Sequence, residues 1–392
     1  MSVLSSVILL MGVTQILGTT AGGFFSIAYA NAQQFQVLGS FEMRTYQVTD
    51  VDETHSFGLY LSTRIVTCGL MVIGLALYAL CTQGFSASAI VFFFIGLMRL
   101  LDASEDVFHG LFQLRGHLDL GGKALFIRTL VTSLSFFVGL LVFSDLLVAT
   151  LLCLICSVIV IFLCDVKPAH DYASVKPIFD FRRIGSLLWD CFPIFLGSFL
   201  AAYLINAPKY GLQSYLPVDY QAIFSIIFMP AMAVNLLCGF VFRPLLTDFA
   251  LCLLEDRSKF CRIVNKAIAL SAAVLVVVLG CTWFFGVPLL SLLYGVDIEP
   301  YKMELTILVV GGLFYAISTI LYYALTTLRS QISLLIGYGA TAALTLLASP
   351  YLVSFFGLAG AAVLYDGSMI LLAAIFYVLF VVVTRSPKFE NV

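Results

Sequence analysis

The sequence predicts an all-α polytopic membrane protein with about twelve transmembrane helices, in two six-helix lobes around a central cavity. The 392 residues are 61% hydrophobic and only 11% charged, whereas soluble proteins are about 25% charged. Long apolar runs recur along the whole chain. A membrane β-barrel would show alternating segments of about ten residues instead, so helices are the structure that satisfies the backbone in lipid.

Apolar runs of spanning length, about 17–25 residues, begin near the N-terminus and continue almost to the C-terminus. No Lys or Arg precedes the first run, which argues against a secretory signal peptide. That run is short, which is consistent with a translated start that lies a few residues late. The predicted spans lie near residues 3–20, 22–41, 65–82, 86–113, 129–144, 147–164, 192–210, 221–242, 267–293, 305–327, 331–351 and 358–383.

The basic residues predict the orientation of these spans. If the N-terminus is cytoplasmic and the sides alternate, 17 of the 20 Lys and Arg residues fall on the cytoplasmic side. This bias is the positive-inside rule. Of the others, Lys302 lies in an outer loop, whereas Arg99 and Lys209 lie within spans. We expect a multi-pass protein of a cell membrane with both termini in the cytoplasm.

An internal repeat predicts two lobes. FSI at 25–27 is followed by Arg44, and FSI at 224–226 is followed by Arg243, with sixteen residues intervening in each case. Each copy lies in the second span of its half. Two halves in the same orientation indicate a pseudo-twofold axis along the membrane normal, as in transporters. We expect an N-terminal lobe, a cytoplasmic linker and a C-terminal lobe at residues 1–164, 165–191 and 192–392.

Composition excludes several function classes. No segment between spans exceeds about 27 residues, which leaves no room for a soluble catalytic domain. Topology already explains the basic loops, so we expect no nucleic-acid partner. The ten cysteines, including the close pair Cys153 and Cys156, have no His or Cys neighbours at ligand spacing. We interpret them as small buried hydrophobic residues and expect no metal and no cofactor.

One predicted helix carries a stripe of ionisable side chains in LMRLLDASEDVFHGLFQ, residues 97–113. Residues three and four apart share a helix face. Each ionised group in a span costs roughly 2.5–3.5 kcal/mol near the centre, so such groups face a bundle interior or water and pair with one another. We expect Arg99 to pair with Asp102 or Asp106. The stripe consists of Arg99, Asp102, Asp106, His109 and Gln113, with Glu105 beside it.

A different interpretation ends this span near residue 101. Glu105, Asp106 and His109 would then lie on a cytoplasmic extension and simply face water. Arg99 fits this less well, because the apolar run before it begins only near Ala87.

Further polar residues interrupt the predicted spans. Amides in spans either hold helices together or bind ligands. A lone carboxylate such as Asp366 is either a cation or proton site or a hydrogen-bond partner of a neighbouring helix. These residues are Asn31, Gln34, Asn206, Lys209, Tyr210, Asn235 and Asp366.

Five segments together resemble the oligosaccharide flippases of the multidrug/oligosaccharidyl-lipid/polysaccharide exporter superfamily. They are GVTQILGTTAGGFFSIAYANAQQF, YQVTDV, the block from Arg99 to Arg128 that ends in GLFQLRGHLDLGGKALFIR, NAPKYGL and FSIIFMPAMAVNLLCGFVFRPLL. The resemblance covers all twelve predicted spans. Where many such proteins carry a basic residue before the ILG of the first span, this chain has Gln15.

The resemblance implies a function in the bacterial inner membrane. Such proteins flip undecaprenyl-pyrophosphate-linked oligosaccharides from the cytoplasmic to the outer leaflet, in polysaccharide biosynthesis, by alternating access. We expect a monomer in contact with membrane lipids, with H⁺ or Na⁺ as the coupling ion.

Roles for the polar residues follow from the chemistry of this substrate. Arg99 and Lys209, with Arg44 and Arg243 at the inner side, would hold the pyrophosphate, because arginine and lysine bind its oxygens. Coupling would fall to Asp366 or to the carboxylates Asp102, Glu105 and Asp106. The candidate sugar ligands are Asn31, Gln34, Asn206, Tyr210 and Asn235.

Two other functions stay open. A cation-coupled multidrug exporter of the same superfamily would have carboxylates in its cavity without accompanying cations. An intramembrane prenyl- or phospho-transferase would use Asp102 and Asp106 as half of a magnesium-diphosphate site. That enzyme needs a second acidic cluster inside the membrane, and Glu255-Asp256 lies in a basic loop, so we do not expect an enzyme.

Overall fold

A computed structural model describes residues 2–50, 54–242, 257–328 and 330–385, which form twelve helices numbered here in chain order. The first six are α1 (Ser2–Leu17), α2 (Thr19–Ser40), α3 (Met43–Thr49), α4 (Phe57–Gln83), α5 (Ala87–Leu114) and α6 (Leu118–Phe143). The others are α7 (Leu146–Ala169), α8 (Phe181–Tyr215), α9 (Asp219–Phe242), α10 (Ser258–Tyr294), α11 (Lys302–Thr327) and α12 (Gln331–Arg385).

Within the described residues, nine helices are long and apolar enough to cross a membrane. One of them, α12, has 55 residues, which at about 1.5 Å per residue is long enough for two spans. The predicted second span is α2, and the short first span is α1. The all-α polytopic fold is therefore confirmed.

Four helices begin earlier than the sequence predicted. α4 begins at Phe57 instead of 65, and α6, α8 and α10 begin nine to eleven residues before their predicted starts. The segments before the predicted starts contain polar or basic side chains that a search for apolar runs omits. The 35 residues of α8 extend over about 50 Å, well beyond the roughly 30 Å hydrocarbon layer.

The chain divides into two compact units, Met1–Ala202 and Tyr203–Val392. The division falls inside α8. The expected linker at 165–191 is only partly a linker, because its first residues end α7 and its last eleven begin α8.

The first unit has a core in which α3, α4, α5 and α8 meet. Phe41 and Phe195 stack with ring centroids 4.2 Å apart, which fixes the first half of α8 against the turn between α2 and α3. The core fixes the polar end of α5 among its neighbours. Its fully buried members are Met43, Tyr60, Val107, Phe108, Leu111, Phe112, Ala169, Leu187 and Cys191.

In the second unit, small residues bring α9, α11 and α12 close together. A Cβ at Gly312 would lie 2.7 Å from the carbonyl oxygen of Ala231, and one at Gly311 would lie 2.7 Å from the ring of Tyr365. The same ring meets Phe228 edge to face, with centroids 4.7 Å apart. This close backbone approach is typical of packing between membrane helices.

Large apolar side chains remain on the outer surfaces of both units. Ile73, Leu141, Val276, Leu347 and Phe355 are each more than half exposed. Such surfaces suit hydrocarbon, which solvates apolar side chains as well as a protein core does.

Asp50 organises the connection between α3 and α4. Its carboxylate accepts hydrogen bonds from Thr54, through the backbone N–H at 2.9 Å and the hydroxyl at 2.5 Å, from the N–H of His55 at 3.0 Å and from the hydroxyl of Tyr60 at 2.8 Å. Burial alone would raise the pKa of Asp50, but these hydrogen bonds outweigh it and lower the pKa below its usual value. The charged carboxylate therefore stabilises this turn.

A kink divides α12. Gly357 has φ of 57° and ψ of −128°, a combination that strains any residue with a Cβ. Space is not the constraint, because a Cβ there would lie 3.8 Å from its nearest neighbour, Leu216. The glycine is needed for backbone conformation.

We expect Asp50→Asn to destabilise the protein by about 2 kcal/mol near neutral pH, through weaker hydrogen bonds to an uncharged acceptor. A carboxylate with a lowered folded-state pKa contributes stability above its unfolded pKa, and this is lost as pH falls through the folded-state pKa. The difference from the wild type should therefore shrink below about pH 4. Thermal unfolding in detergent at several pH values measures it. The exposed Asp171→Asn serves as control, and a difference that grows in acid would contradict the assignment.

We expect Gly357→Ala to destabilise the second unit by roughly 1–3 kcal/mol, the usual range for strained backbone positions. Gly367→Ala is the matched control, because Gly367 lies ten residues further along α12, has helical backbone and has nothing within 4 Å of an added Cβ. It should be neutral or slightly stabilising. Equal melting temperatures for the two variants would refute the role given to Gly357.

Candidate functional site

The ionisable stripe of α5 lies inside the first unit, facing α2, α6 and α7. Arg99, Glu105 and His109 are 6%, 3% and 6% exposed. The interpretation that the stripe beyond residue 101 simply faces water is therefore wrong for Glu105 and His109. Asp106 is more open, with 24% of its side chain exposed.

One branch of this network joins two arginines through Asp102. Arg99 and Arg128 each form an ion pair with Asp102, one to each carboxylate oxygen. Arg99 also donates to the hydroxyl of Tyr29 at 3.1 Å, and its guanidinium lies 4.8 Å from the centre of that ring. Of the two partners proposed for Arg99, the structure selects Asp102.

Arg128 extends the network to Glu105. Its NH2 group lies 2.6 Å from Oε1 and its Nε lies 2.5 Å from Oε2. The guanidinium therefore contacts both oxygens of Glu105, the geometry that makes arginine–carboxylate pairs strong. Arg128 is supplied by α6, which brings this helix against α5.

A second branch of the network centres on Asp106. Arg64 of α4 donates to its Oδ2 at 2.9 Å and to the carbonyl of Gly39 at 2.8 Å. Arg44 of α3 donates to Oδ1 at 3.3 Å and to Gln113 at 2.9 Å. Arg64 is 2% exposed, whereas a third of the Arg44 side chain is accessible. The ion pair of Arg64 with Asp106 is thus structural, whereas Arg44 is accessible to a ligand.

Two adjoining cavities lie along this network, with volumes of 230 Å³ and 480 Å³. Arg44, Arg99 and Arg128 line the first cavity together with Tyr29. The residues that line both cavities are Gln36, Arg44, Asp102 and Asp106. Arginine side chains and carboxylates lie next to each other on the walls. An anion that enters can therefore replace a carboxylate as the partner of an arginine.

Three residues of the network were absent from the predicted site: Arg64, Arg128 and Asp165. Arg64 and Arg128 had been assigned to cytoplasmic segments on topology alone. Charge balance within α5 was the available signal, because three carboxylates beside one arginine require further cations if they are buried. Nothing in the sequence indicates Asp165, which contacts His109 from a π-helical turn of α7.

Two predicted sugar ligands in the first unit form hydrogen bonds to backbone. Asn31 donates to the carbonyl of Ile27 at 3.0 Å, and Gln34 donates to the carbonyl of Phe199 at 3.0 Å. Neither residue lines the two cavities described. Their role as sugar ligands stays a prediction.

The second unit holds the remaining candidates, and Arg243 lies outside the described residues. Lys209 and Tyr210 are half-buried on α8 beside the buried Asn206, and Asn235 accepts a hydrogen bond from Thr319 at 3.4 Å. Oδ1 of Asp366 is buried and has no hydrogen-bond partner among the described residues. Lys209 takes no part in an ion pair with any described residue.

Comparison with solved structures identifies the fold. No protein-family model matches the chain, and no curated protein matches it in sequence. The lipid II flippase MurJ in an inward closed conformation superposes with a TM-score of 0.74 at 14% identity, over 98% of this chain and 88% of MurJ. The chain therefore has the fold shared by transporters of the MOP superfamily.

Two further similar structures belong to that superfamily by their descriptions. A multidrug resistance MATE family transporter in an inward-facing conformation gives a TM-score of 0.68 at 11% identity, over 99% of this chain and 94% of the other. A transporter from Pyrococcus furiosus, described as having a binding pocket of reverse polarity, gives 0.59 at 12% identity, over 99% and 96%. The similarity thus extends over the whole length of each protein.

We expect Arg64→Met to destabilise the protein by roughly 1.5–3 kcal/mol, the range for hydrogen bonds to a charged group, because Asp106 keeps only the more exposed Arg44 and the Gly39 carbonyl keeps only the hydroxyl of Thr67. Lys123→Met is the matched control, since it breaks the exposed pair with Asp119, whose side chains are 70% and 59% exposed, and should cost below about 1 kcal/mol. Unfolding in mixed detergent micelles measures both. Similar losses for the two variants would contradict the buried pairing.

Proposed function

We propose that the protein flips an undecaprenyl-pyrophosphate-linked oligosaccharide from the cytoplasmic to the outer leaflet of a bacterial inner membrane, by alternating access, with both termini in the cytoplasm. The observation that supports this most is the set of three arginines, Arg44, Arg99 and Arg128, on the wall of one cavity. A pyrophosphate carries the charge and the oxygen geometry that arginine binds bidentately. The fold, which transporters of the MOP superfamily share, supports a transport function.

Binding would proceed by exchange of partners. In the described network Arg99 and Arg128 share Asp102. A phosphate oxygen can therefore replace one oxygen of Asp102 as the partner of an arginine, and that guanidinium still has an anionic partner. Arg44 is the most accessible of the three and would make the first contact. The lipid tail would stay in hydrocarbon, which solvates it well, while the polar head group crosses inside the protein.

The remaining predicted ligands, most of them in the second unit, complete the proposal. Lys209 would add a point charge for the pyrophosphate, and Arg243 would act at the cytoplasmic side. The sugars would meet amide and aromatic groups, for which Asn31, Gln34, Asn206, Tyr210 and Asn235 are the candidates. We propose a monomer that couples transport to an ion.

A multidrug exporter is the second candidate function. Asp102 and Asp106 line the cavities and would attract cationic drugs, and a multidrug MATE transporter has a similar fold. The arginine next to each of these carboxylates weighs against it, because each carboxylate is already neutralised.

We expect Arg99→Gln to weaken head-group binding roughly 10- to 100-fold, the equivalent of one or two lost charge-assisted hydrogen bonds, and to slow flipping accordingly. The measurement is the sidedness of lipid-linked glycan in a deletion strain that expresses each variant, detected with a membrane-impermeant lectin. Glycan should accumulate in the cytoplasmic leaflet. Export of ethidium from the same cells tests the exporter function.

Two controls separate binding from folding. Arg183→Gln removes an exposed arginine of α8 and should leave flipping unchanged. The double variant Arg99→Gln/Asp102→Asn removes the pair together, keeps the local charge balance and should still fail to flip. Normal glycan sidedness in this double variant would rule out Arg99 as a ligand, and normal sidedness in the deletion strain itself would rule out the flippase function.

A further inference from the structure

Glu105, His109 and Asp165 form a buried cluster, and the first two also line the first cavity. They are 3%, 6% and 0% exposed, and one polar atom of each lies within 4.8 Å of the others. His109 Nε2 lies 3.0 Å from Asp165 Oδ1. Both oxygens of Asp165 are buried, and apart from this contact with His109 neither has a polar partner among the described residues.

Local backbone geometry aims Asp165 at this point. It lies in the π-helical turn Phe162–Val166 of α7, whereas the rest of that helix is α-helical. Single π-turns within α-helices are frequent at functional sites. Glu105 and His109 are four residues apart on α5 and so share the face that Asp165 meets.

The charges that face this cluster do not cancel unless it carries a proton. Arg128 from α6 contacts Glu105, and Arg99 pairs with Asp102 on α5. These two arginines face three carboxylates, namely Asp102, Glu105 and Asp165, so His109 is left as the group that can balance the third.

The other charged groups near this end of α5 have partners or face solvent. Arg64 from α4 and Arg44 from α3 are both paired with Asp106. Lys167 and His170, at the end of α7, are exposed. None of these groups therefore neutralises the cluster.

We propose that Glu105, His109 and Asp165 form a proton-binding site that takes up a proton, on Glu105, when an anionic head group draws Arg128 away. This inference rests on the proposed function and states how the site responds to the charge of the head group. An anion at Arg128 leaves Glu105 buried and without its guanidinium. A proton from water then converts the carboxylate to the neutral acid, and its release would return Arg128 to Glu105.

A proton fits this site better than a metal ion. Sodium and magnesium require several oxygen ligands, and one of the three groups here is an imidazole. The guanidinium of Arg128 already occupies the cation position, with Nε 2.5 Å from Oε2 of Glu105. A metal ion at Glu105 would therefore meet a fixed positive charge, whereas a proton on Glu105 removes the need for that charge.

The experiment measures protons taken up on binding. Purified protein in detergent is titrated with undecaprenyl pyrophosphate in buffers of different ionisation enthalpy, and calorimetry gives the number of protons absorbed per bound lipid. We expect the wild type to absorb roughly one proton more than Glu105→Gln, in which the acceptor is permanently neutral. Replacement of Na⁺ by choline should change neither value.

Asp165→Asn is the matched control, because it removes a carboxylate of the same cluster with the same loss of charge. Glu105 is still present in this variant, so uptake should persist at the wild-type value. Equal uptake by the wild type and Glu105→Gln, loss of uptake in both variants, or uptake that depends on Na⁺ would overturn the inference while binding itself still supports the proposed function. Absence of binding by the wild type would overturn both.

Discussion

The structure of the first unit depends on the neutralisation of charges that are buried in a membrane protein. A lone ionised group in hydrocarbon is expensive, and removal of one partner from a buried pair is more damaging than absence of both. Asp102 and Asp106 meet this constraint by each holding two arginines. Helices α3, α4 and α6 each supply an arginine to α5, so the ion pairs also determine which helices surround it.

The same constraint makes the site suitable for ligand exchange. An unpaired arginine would be a strong anion site, but it would destabilise the protein whenever the cavity is free of ligand. An arginine that shares a carboxylate keeps its charge balanced and can still accept phosphate oxygens in place of one partner. Arg64, fully enclosed and bound to a backbone carbonyl, shows the purely structural form of the pair, whereas Arg44 and Arg99 adjoin open volume.

The sequence was sufficient to predict the helices, but it did not predict which side chains on different helices contact one another. Apolar runs predicted the spans, and the i, i+3 and i, i+4 spacing placed Arg99, Asp102 and Asp106 on one face with Glu105 beside it, because both features are local. Arg128 lies 23 residues from Glu105 in the sequence, and no local pattern links them. Asp165 depends on a single π-helical turn, which changes the direction of one side chain and leaves no signature in hydropathy. Hydropathy also placed the starts of α4, α6, α8 and α10 too late, because helices continue into polar surroundings.

The two units differ in chemistry although the sequence repeat suggests a common origin. FSI lies in α2 of the first unit and in α9 of the second, the second predicted span of each half. The first unit nevertheless contains the extended network, whereas in the described part of the second unit Lys209 has no ion-pair partner and Asp366 has an unsatisfied buried oxygen. A network can exchange partners and pass a proton, and an isolated charge can do neither without leaving itself uncompensated. Among the described residues, exchange of partners is therefore possible within the first unit, whereas Lys209 of the second unit can offer an anion only a fixed charge.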